Sequence, residues 1–498
     1  MNVNPITRLD YPDPDVIRVE DTYYMVSTTM HFMPGCEILQ SFDLVHWEHV
    51  TYVYETLDHT DAQQLKSGQN IYGQGMWAAS LRYHEGRFYI CFVANDTRKT
   101  YLYTSEKIDG PWKKQLIEGF YHDGSLLFDE DGRNYIVYGN DEIWITELNE
   151  DLTAPKKDGL HRLLVSDHKN PELGYEGSHI QKINGYYYIF LVHSLRDRWM
   201  RTEACFYSDS LEGEFTGGDV LCDDRGYCGQ GVAQGGIVDT PDGKWYAMLF
   251  QDSGAVGRIP ILLPVTWKDH FPVFGQNGHV PEEIEVHSTR PGYIYQPLVG
   301  SDDFCNGLLP RWQFNHDPDP RYYHLDALQG TYTITTREVC TELTQAVNTL
   351  TQRMSYPSCA AEVTVDASAL KEGDVAGLCA LQGCYAAVGI TKHHGKYEVL
   401  MLDKKEDGIL DMTEGTVVES HQMDFRLEAD FCNMKDEARC YYRVNKRDWL
   451  PIGTVHKLYF KLDHFTGCRF GLFCYAAEKT GGSACFRDFK YYDVDEIS

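Results

Sequence analysis

Apolar and polar residues alternate in short runs along most of this chain, and nowhere do they settle into a sustained helical period. Alternation with period two predicts strands whose two faces meet different surroundings. Over the first 250 residues one aromatic strand phrase recurs five times, as Asp21-Thr22-Tyr23-Tyr24, Gly86-Arg87-Phe88-Tyr89, Gly132-Arg133-Asn134-Tyr135, Gly185-Tyr186-Tyr187-Tyr188 and Gly243-Lys244-Trp245-Tyr246. The last four open on turns, His84-Glu85-Gly86-Arg87, Asp131-Gly132, Asn184-Gly185 and Asp242-Gly243. Asn-Gly or Asp-Gly between apolar runs is a strong hairpin signal. A third strand often follows and ends in a Ser-led phrase such as Ser41-Phe42-Asp43-Leu44, Ser105-Glu106-Lys107-Ile108 or Ser208-Asp209-Ser210-Leu211. The markers Tyr24, Tyr89, Tyr135, Tyr188 and Tyr246 lie 65, 46, 53 and 58 residues apart. Several strands per repeat at about this period predict propeller blades, so a five-bladed β-propeller is expected over residues 1–295.

The pattern changes after Arg290-Pro291-Gly292. Residues 301–498 carry no blade repeat and read as short alternating strands, among them Cys359 to Val365, Ala386 to Thr391 and Val455 to Leu462. Turns at Lys371-Glu372-Gly373-Asp374, His394-Gly395 and Thr480-Gly481-Gly482 separate them. This predicts a β-sandwich opening near Asp302-Asp303-Phe304, and an all-β chain of two domains.

The repeat also aligns chemistry. Eleven residues before Tyr24 stands Asp13; twelve before the other four markers stand Trp77, Asp123, Glu176 and Gln234. The innermost strands of a propeller line its channel, so these positions should converge on the axis. Asp13 lies between Pro12 and Pro14, which fix its backbone; it suits a general base that activates water. Glu176 is followed by Gly177, which permits close approach of a ligand, and suits a general acid whose pKa is raised by burial or a neighbouring carboxylate. Asp123 can orient and tune that acid. Paired carboxylates flanking a glycosidic bond are the apparatus of sugar hydrolysis, inverting or retaining according to their separation. Trp77 offers a face for a sugar ring, and Arg290, where the propeller closes, could clamp hydroxyls or a carboxylate. Taken singly, these residues are as readily a turn aspartate, a surface glutamate, a core tryptophan and a structural ion pair; the shared register raises them above that. Asp129-Glu130-Asp131-Gly132 lacks the later Glu of a calcium loop and reads as a hairpin turn.

Composition narrows the partners. With 45 basic and 74 acidic residues the net charge is −29, which disfavours nucleic acid and anionic membranes and leaves a neutral substrate. The 15 cysteines are odd in number, form no CxxC pair and sit mostly in apolar strands, as expected of free thiols in a reducing compartment. The opening Met1-Asn2-Val3-Asn4-Pro5 shows no leader, and no apolar run approaches the ~18–20 residues of a membrane span. A cytoplasmic enzyme, with the homo-oligomeric habit common among soluble enzymes, is the expectation.

These motifs resemble glycoside hydrolase family 43. Asn4-Pro5-Ile6 with Pro12-Asp13-Pro14-Asp15 is similar to its opening motif, Gly75-Met76-Trp77-Ala78-Ala79-Ser80 to its second-blade motif (with Ala79 where Pro is common), and His122-Asp123-Gly124-Ser125-Leu126-Leu127-Phe128 to the stretch holding its pKa-modulating aspartate. Tyr175-Glu176-Gly177-Ser178-His179 resembles the general-acid motif, and Ser288-Thr289-Arg290-Pro291-Gly292 the segment that supplies an active-site arginine. Trp312-Gln313-Phe314-Asn315-His316-Asp317-Pro318-Asp319 and Asn348-Thr349-Leu350-Thr351-Gln352-Arg353 resemble the concanavalin-like sandwich of the β-xylosidase-type members. The resemblance implies Asp13 as base, Glu176 as acid, Asp123 as modulator, an inverting single displacement, and a sandwich loop that closes the pocket for exo action. It points to β-1,4-xylosides, with an α-L-arabinofuranosidase as the alternative and a non-catalytic sugar-binding propeller as the reading from another class. It also places the loop His31-Phe32-Met33-Pro34-Gly35 at one pocket wall, with Phe32 its candidate substrate contact. Many members set a histidine beside an axial calcium in the fifth blade; Gln234 stands in that register, so neither a metal nor another cofactor is expected.

Overall fold

The computed structural model describes residues 3–493. Five four-stranded antiparallel sheets follow one another along the chain, each built from strands in chain order, with Phe32–Met33 of the first blade's loop left out of its sheet. Their innermost strands are Asp15–Val19, Met76–His84, Ser125–Phe128, Glu176–Ile183 and Val232–Asp239 in blades one to five. Each pairs with the strand that carries an aromatic marker: Ile17 faces Tyr24, Arg82 faces Tyr89 and Gln181 faces Tyr188. The five-bladed propeller expected from the repeats is the architecture observed. Alternation along each strand sets one row of apolar side chains against the next blade. Val26, Ile38 and Val53 of blade one thus pack on Leu81, Ile90 and Phe92 of blade two. Among the described residues, no blade is completed by a strand from the opposite end of the chain. Instead the N-terminal segment runs along blade five, where the Ile6 amide bonds the Pro260 carbonyl at 2.8 Å and the Tyr11 amide the Arg258 carbonyl at 2.9 Å.

The remaining chain forms two stacked sheets. One joins Gln313–Asn315, Leu350–Arg353, Arg469–Ala476, Asp374–Leu381, Tyr385–His393 and Lys396–Lys404; the other includes Tyr323–Asp326, Thr331–Thr335, Ser483–Asp493, Ser358–Asp366 and Gln422–Asp430. Their facing sides enclose a single apolar core around Trp312, Leu378, Phe425 and Phe486. Among the described residues, no helix is long and apolar enough to cross a membrane.

The propeller lends this sandwich a strand. Phe32–Met33, in the first-blade loop, pairs with Gln313–Asn315 at the sheet edge. Phe32 is therefore only 2% exposed, lies under the Arg469 guanidinium at 3.5 Å, and does not line the pocket that contains Asp13. The expected substrate contact at Phe32 is thus corrected: pairing with the second domain draws the loop away from the pocket and into the seam.

Charged groups complete that seam. Arg353 of the sandwich reaches Glu37 of blade one at 2.8 Å, and its Nε donates to the Asp10 carbonyl at 2.9 Å. Asp10 in turn accepts from the Gly467 and Arg258 amides, both at 2.7 Å. Burial works to raise the Glu37 carboxyl, but Arg353 and His49 outweigh it and hold it down to about 2. Deleting one member of a buried pair strands the other charge. Glu37→Gln should therefore lower the unfolding free energy at neutral pH by about 3 kcal/mol or more, read from urea denaturation. The difference should shrink as pH falls from the ordinary glutamate range toward about 2, where the wild-type carboxylate is itself protonated. A loss under about 1 kcal/mol at neutral pH would contradict a structural role for the pair.

Candidate active site

Each inner strand begins with a kink. Asp13, Ala78, Asp123, Gly177 and Gln234 all have left-handed φ, at 52°, 34°, 48°, 65° and 65°. In blades two, four and five the pairing register also slips at this point, after Trp77, Glu176 and Ala233. Such conformations are uncommon away from glycine and cluster where side chains must be re-aimed. Here they turn one side chain per blade toward the axis. At Gly177 nothing larger fits, because a Cβ would come within 2.7 Å of the Gln234 side chain.

The result is a cavity of about 200 Å³ lined by Asp13, Trp77, Asp123, Glu176 and Gln234, with His122, Leu173, Arg201, Arg258, Leu462 and Phe465. All five axial residues picked out by the repeat are thus brought together. A larger cavity of about 410 Å³ opens at the other end of the channel, where the inner strands finish. Its charged groups are already paired, Arg18 with Asp239, Arg82 with Asp15 and Lys182 with Asp129, and none of the three axial carboxylates reaches it.

Asp13 is held from both sides. Arg258 Nη1 donates to Oδ1 at 2.7 Å, and the Thr28 hydroxyl donates to Oδ2 at 2.5 Å. Thr28 is itself fixed by the Ala78 amide at 2.8 Å. Arg258 also bonds Asp252 at 3.2 Å, and Asp252 receives Arg201 Nε at 3.0 Å, so two guanidinium groups and one carboxylate form a buried comb behind the base. Phe465, from the sandwich, lies 3.8 Å over Arg258 and packs edge-on against Trp77 at 5.2 Å. The second domain thereby supplies part of the pocket wall.

Glu176 and Asp123 share a histidine. His122 Nε2 stands 3.4 Å from Glu176 Oε2 and 3.5 Å from Asp123 Oδ2. Asn140 donates to the same Glu176 oxygen at 2.9 Å, and the Gly177 amide to Asp123 Oδ2 at 2.9 Å. Burial disfavours charge on His122, but Asp123 and Glu176 outweigh it and lift the imidazole to about 9. Burial, together with Glu176 and Asp13, pushes Asp123 up to about 6 against the pull of His122. Burial also works to raise Glu176, yet the bond and charge of His122, joined by Arg201 and Arg258, bring its pKa below the ordinary value. The expectation of a raised Glu176 is therefore reversed. The cause is His122, whose place beside Asp123 in the sequence carries no sign of its contact with Glu176.

Arg290 is not at this site. It is exposed, bonds Asp21 at 2.8 Å and stacks on Phe42 at 4.1 Å. Asp21 lies in the hairpin that ends the first inner strand, at the far end of the channel from Asp13. Arg258 holds the place expected for Arg290. Its signal was a lone cation heading the apolar run Ile259-Pro260-Ile261-Leu262-Leu263, on the third strand of its blade, where a search of innermost positions does not look. Arg201, Asn140, Thr28 and Phe465 were missed for the same reason. The donor set does not suit an axial calcium. His122, Asp123 and Glu176 bring three ligand atoms within 4.8 Å of one another, but two guanidinium groups face the same cavity, and a hard cation wants six or more oxygens.

Residues 3–272 match the profile of Glycosyl hydrolases family 43, and residues 301–492 that of the Beta xylosidase C-terminal Concanavalin A-like domain. The chain belongs to glycosyl hydrolase family 43. It is 26% identical to a beta-xylosidase of Formosa agariphila across 99% of this chain and 89% of the other, and 24% identical to a xylosidase/arabinosidase of Butyrivibrio fibrisolvens across 99% of both. A solved structure of a bifunctional GH43-CE protein of Bacteroides eggerthii superposes with a TM-score of 0.91 at 42% identity over 98% of this chain; the chain spans 63% of that protein. In this family 43 glycosidase, Arg258→Ala should reduce turnover of an aryl glycoside by about 100-fold or more, as removal of a buried charge-stabilising donor does. Arg290→Ala should change it by less than about threefold, as befits an exposed ion pair. Initial rates with matched melting temperatures decide this, and comparable losses in both variants would contradict the placement.

Proposed function

We propose that this family 43 glycosidase releases xylose from the non-reducing end of β-1,4-xylo-oligosaccharides by a single inverting displacement. The observation that carries the reading is the meeting of Asp13, Asp123 and Glu176, from three different blades, in one small cavity walled by Trp77 and Phe465. Asp13 takes a proton from water, which attacks the anomeric carbon. Arg258 and Thr28 fix both carboxylate oxygens, so the base stays oriented while its charge is compensated. Glu176 gives a proton to the glycosidic oxygen as the bond breaks. Its Oε2 is occupied by Asn140 and His122, which leaves Oε1 to face the leaving group. Asp123 feels the charge of both Asp13 and Glu176 and is hydrogen-bonded to the Gly177 amide beside the acid.

A cavity of about 200 Å³, closed on one side by Leu462 and Phe465 of the sandwich, favours one terminal sugar over a continuous chain. The names of the relatives support a pentose substrate, and both xylosidase and arabinosidase appear among them. α-L-Arabinofuranoside cleavage by the same residues is therefore the second reading. The mechanism calls for no metal or other cofactor. The 15 cysteines form no disulfide, which supports action in a reducing, cytoplasmic compartment, and the charge of −29 disfavours nucleic acid or an anionic membrane as partner. Assembly as a homo-oligomer rests on the general habit of soluble enzymes.

The test is hydrolysis of para-nitrophenyl β-D-xylopyranoside beside para-nitrophenyl α-L-arabinofuranoside, with Glu176→Ala and Asp13→Ala as controls. The xyloside should be preferred, and Asp13→Ala should lose at least about 100-fold in turnover. Preference for the arabinoside would favour the second reading. No turnover of either by folded wild-type protein would overturn both.

A further inference from the structure

Glu176 and His122 are placed as a unit. His122 is the last residue before the left-handed turn at Asp123, and its carbonyl accepts the Gly139 amide at 3.0 Å. That bond anchors it to the strand whose next residue, Asn140, holds Glu176 Oε2 at 2.9 Å. Blade three therefore addresses one oxygen of a blade-four glutamate with two donors, and leaves the other free of them. The His122 ring meets the edge of Trp77 at 6.3 Å and is 21% exposed at its side chain, so it sits in the wall of the cavity and not behind it. Every other charged group of the cavity is already engaged. Asp13 is taken by Arg258 from blade five, Arg201 from blade four by Asp252, and Asp123 by the Gly177 amide. No other cation stands within ion-pairing distance of Glu176 among the described residues.

We propose that His122 is a positioning residue that stays protonated through the working range, fixes Glu176 through Oε2 and makes it a stronger acid, so that it, and not burial, sets the alkaline limit of activity. This rests on Glu176 being the proton donor. A cation against the carboxylate stabilises the form left after proton transfer, which helps most when the departing group is a poorly leaving sugar alcohol. The same cation lets the acid lose its proton at lower pH, which narrows activity on the alkaline side. The electrostatics agree: the imidazole is lifted to about 9, and Glu176 is brought below its ordinary value by His122 first among the charges around it. The ligand atoms of His122, Asp123 and Glu176 lie within 4.8 Å of one another, so the limit belongs to the cluster, with Asp13, Arg201 and Arg258 facing it across the cavity.

The experiment compares wild type with His122→Gln and His122→Phe, each checked for an unchanged melting curve, on two substrates. One is xylobiose, which needs strong protonation of its leaving group. The other is an aryl xyloside with a good leaving group, which needs little. The alkaline limb of kcat/KM should move up by about one pH unit, since removing the cation raises the acid's pKa. On the acid plateau xylobiose turnover should fall at least about fivefold further than aryl xyloside turnover does. An unmoved limb, or equal losses on both substrates, would overturn the proposal and leave His122 a packing residue. A readout that needs no turnover accompanies this. In imidazole nitrogen NMR the resonance missing from His122→Gln should remain that of a protonated ring at about pH 8, and should titrate at lower pH in Glu176→Gln. A neutral ring at that pH would refute the inference even in an enzyme whose glycosidase activity is confirmed. A protonated ring in a protein inactive on every xyloside would fault the functional reading instead.

Discussion

A group of carboxylates can be buried at one point only if something compensates their mutual repulsion and lost hydration. In this chain that condition is met at the propeller axis by the Arg258–Asp13 pair. Arg258 is 5% exposed and bridges Asp13 to Asp252, which also receives Arg201. Its planar face is covered by Phe250 from its own blade and Phe465 from the other domain, at 4.6 and 3.8 Å. Remove this cation and Asp13 loses its ion-pair partner, Asp252 keeps only Arg201, and Phe465 of the sandwich loses one of its contacts at the site. Position of the base and closure of the pocket therefore share one side chain.

The strained backbone has a matching explanation. Regular strands would point alternate side chains along the channel wall. The left-handed residue at the head of each inner strand breaks that alternation at one end only, and the five turned side chains meet there. At the other end the same strands continue regularly, and their charges pair among themselves. Strain is thus confined to the functional end, at a cost on the order of 1–2 kcal/mol for each non-glycine residue, and the remainder of the propeller supports it. Against this fixed frame His122 adjusts the acid: geometry gives Glu176 its place, and the neighbouring imidazole decides how tightly it keeps its proton.

Much of this was legible in the chain because a propeller turns a linear period into a radial one. The spacing from each aromatic marker back to Asp13, Trp77, Asp123, Glu176 and Gln234 is a statement about equivalent inner strands, and residues equivalent in that sense meet in space. What the period could not reach are residues on other strands. Arg258 and Arg201 lie on third strands, Asn140 at the end of a second, and Phe465 outside the propeller altogether. Their approach to the axis depends on blade twist and on docking of the sandwich, neither of which leaves a local pattern. Arg290 was misplaced because nearness in sequence to the closing segment was taken for nearness to the site, whereas that segment returns along the far end of blade one, where Thr289 bonds the Asp21 carbonyl at 2.6 Å. Phe32 failed for a related reason, since its loop is claimed by the edge of a sheet some 280 residues later in the chain. The raised pKa expected for Glu176 follows from burial or a neighbouring carboxylate; the sign changes only when His122, one blade earlier and adjacent to Asp123 in sequence, is seen to bond it.

The central claim is that Asp13 delivers water to the anomeric carbon while Glu176 protonates the departing sugar, in one displacement. Proton NMR of the xylose first released from xylobiose, recorded before its anomers equilibrate, tests this directly. The account predicts that α-xylose appears first and the β-anomer grows in later by mutarotation. Initial release of β-xylose would require a covalent intermediate on a carboxylate and would contradict the assignment of Asp13 as a base.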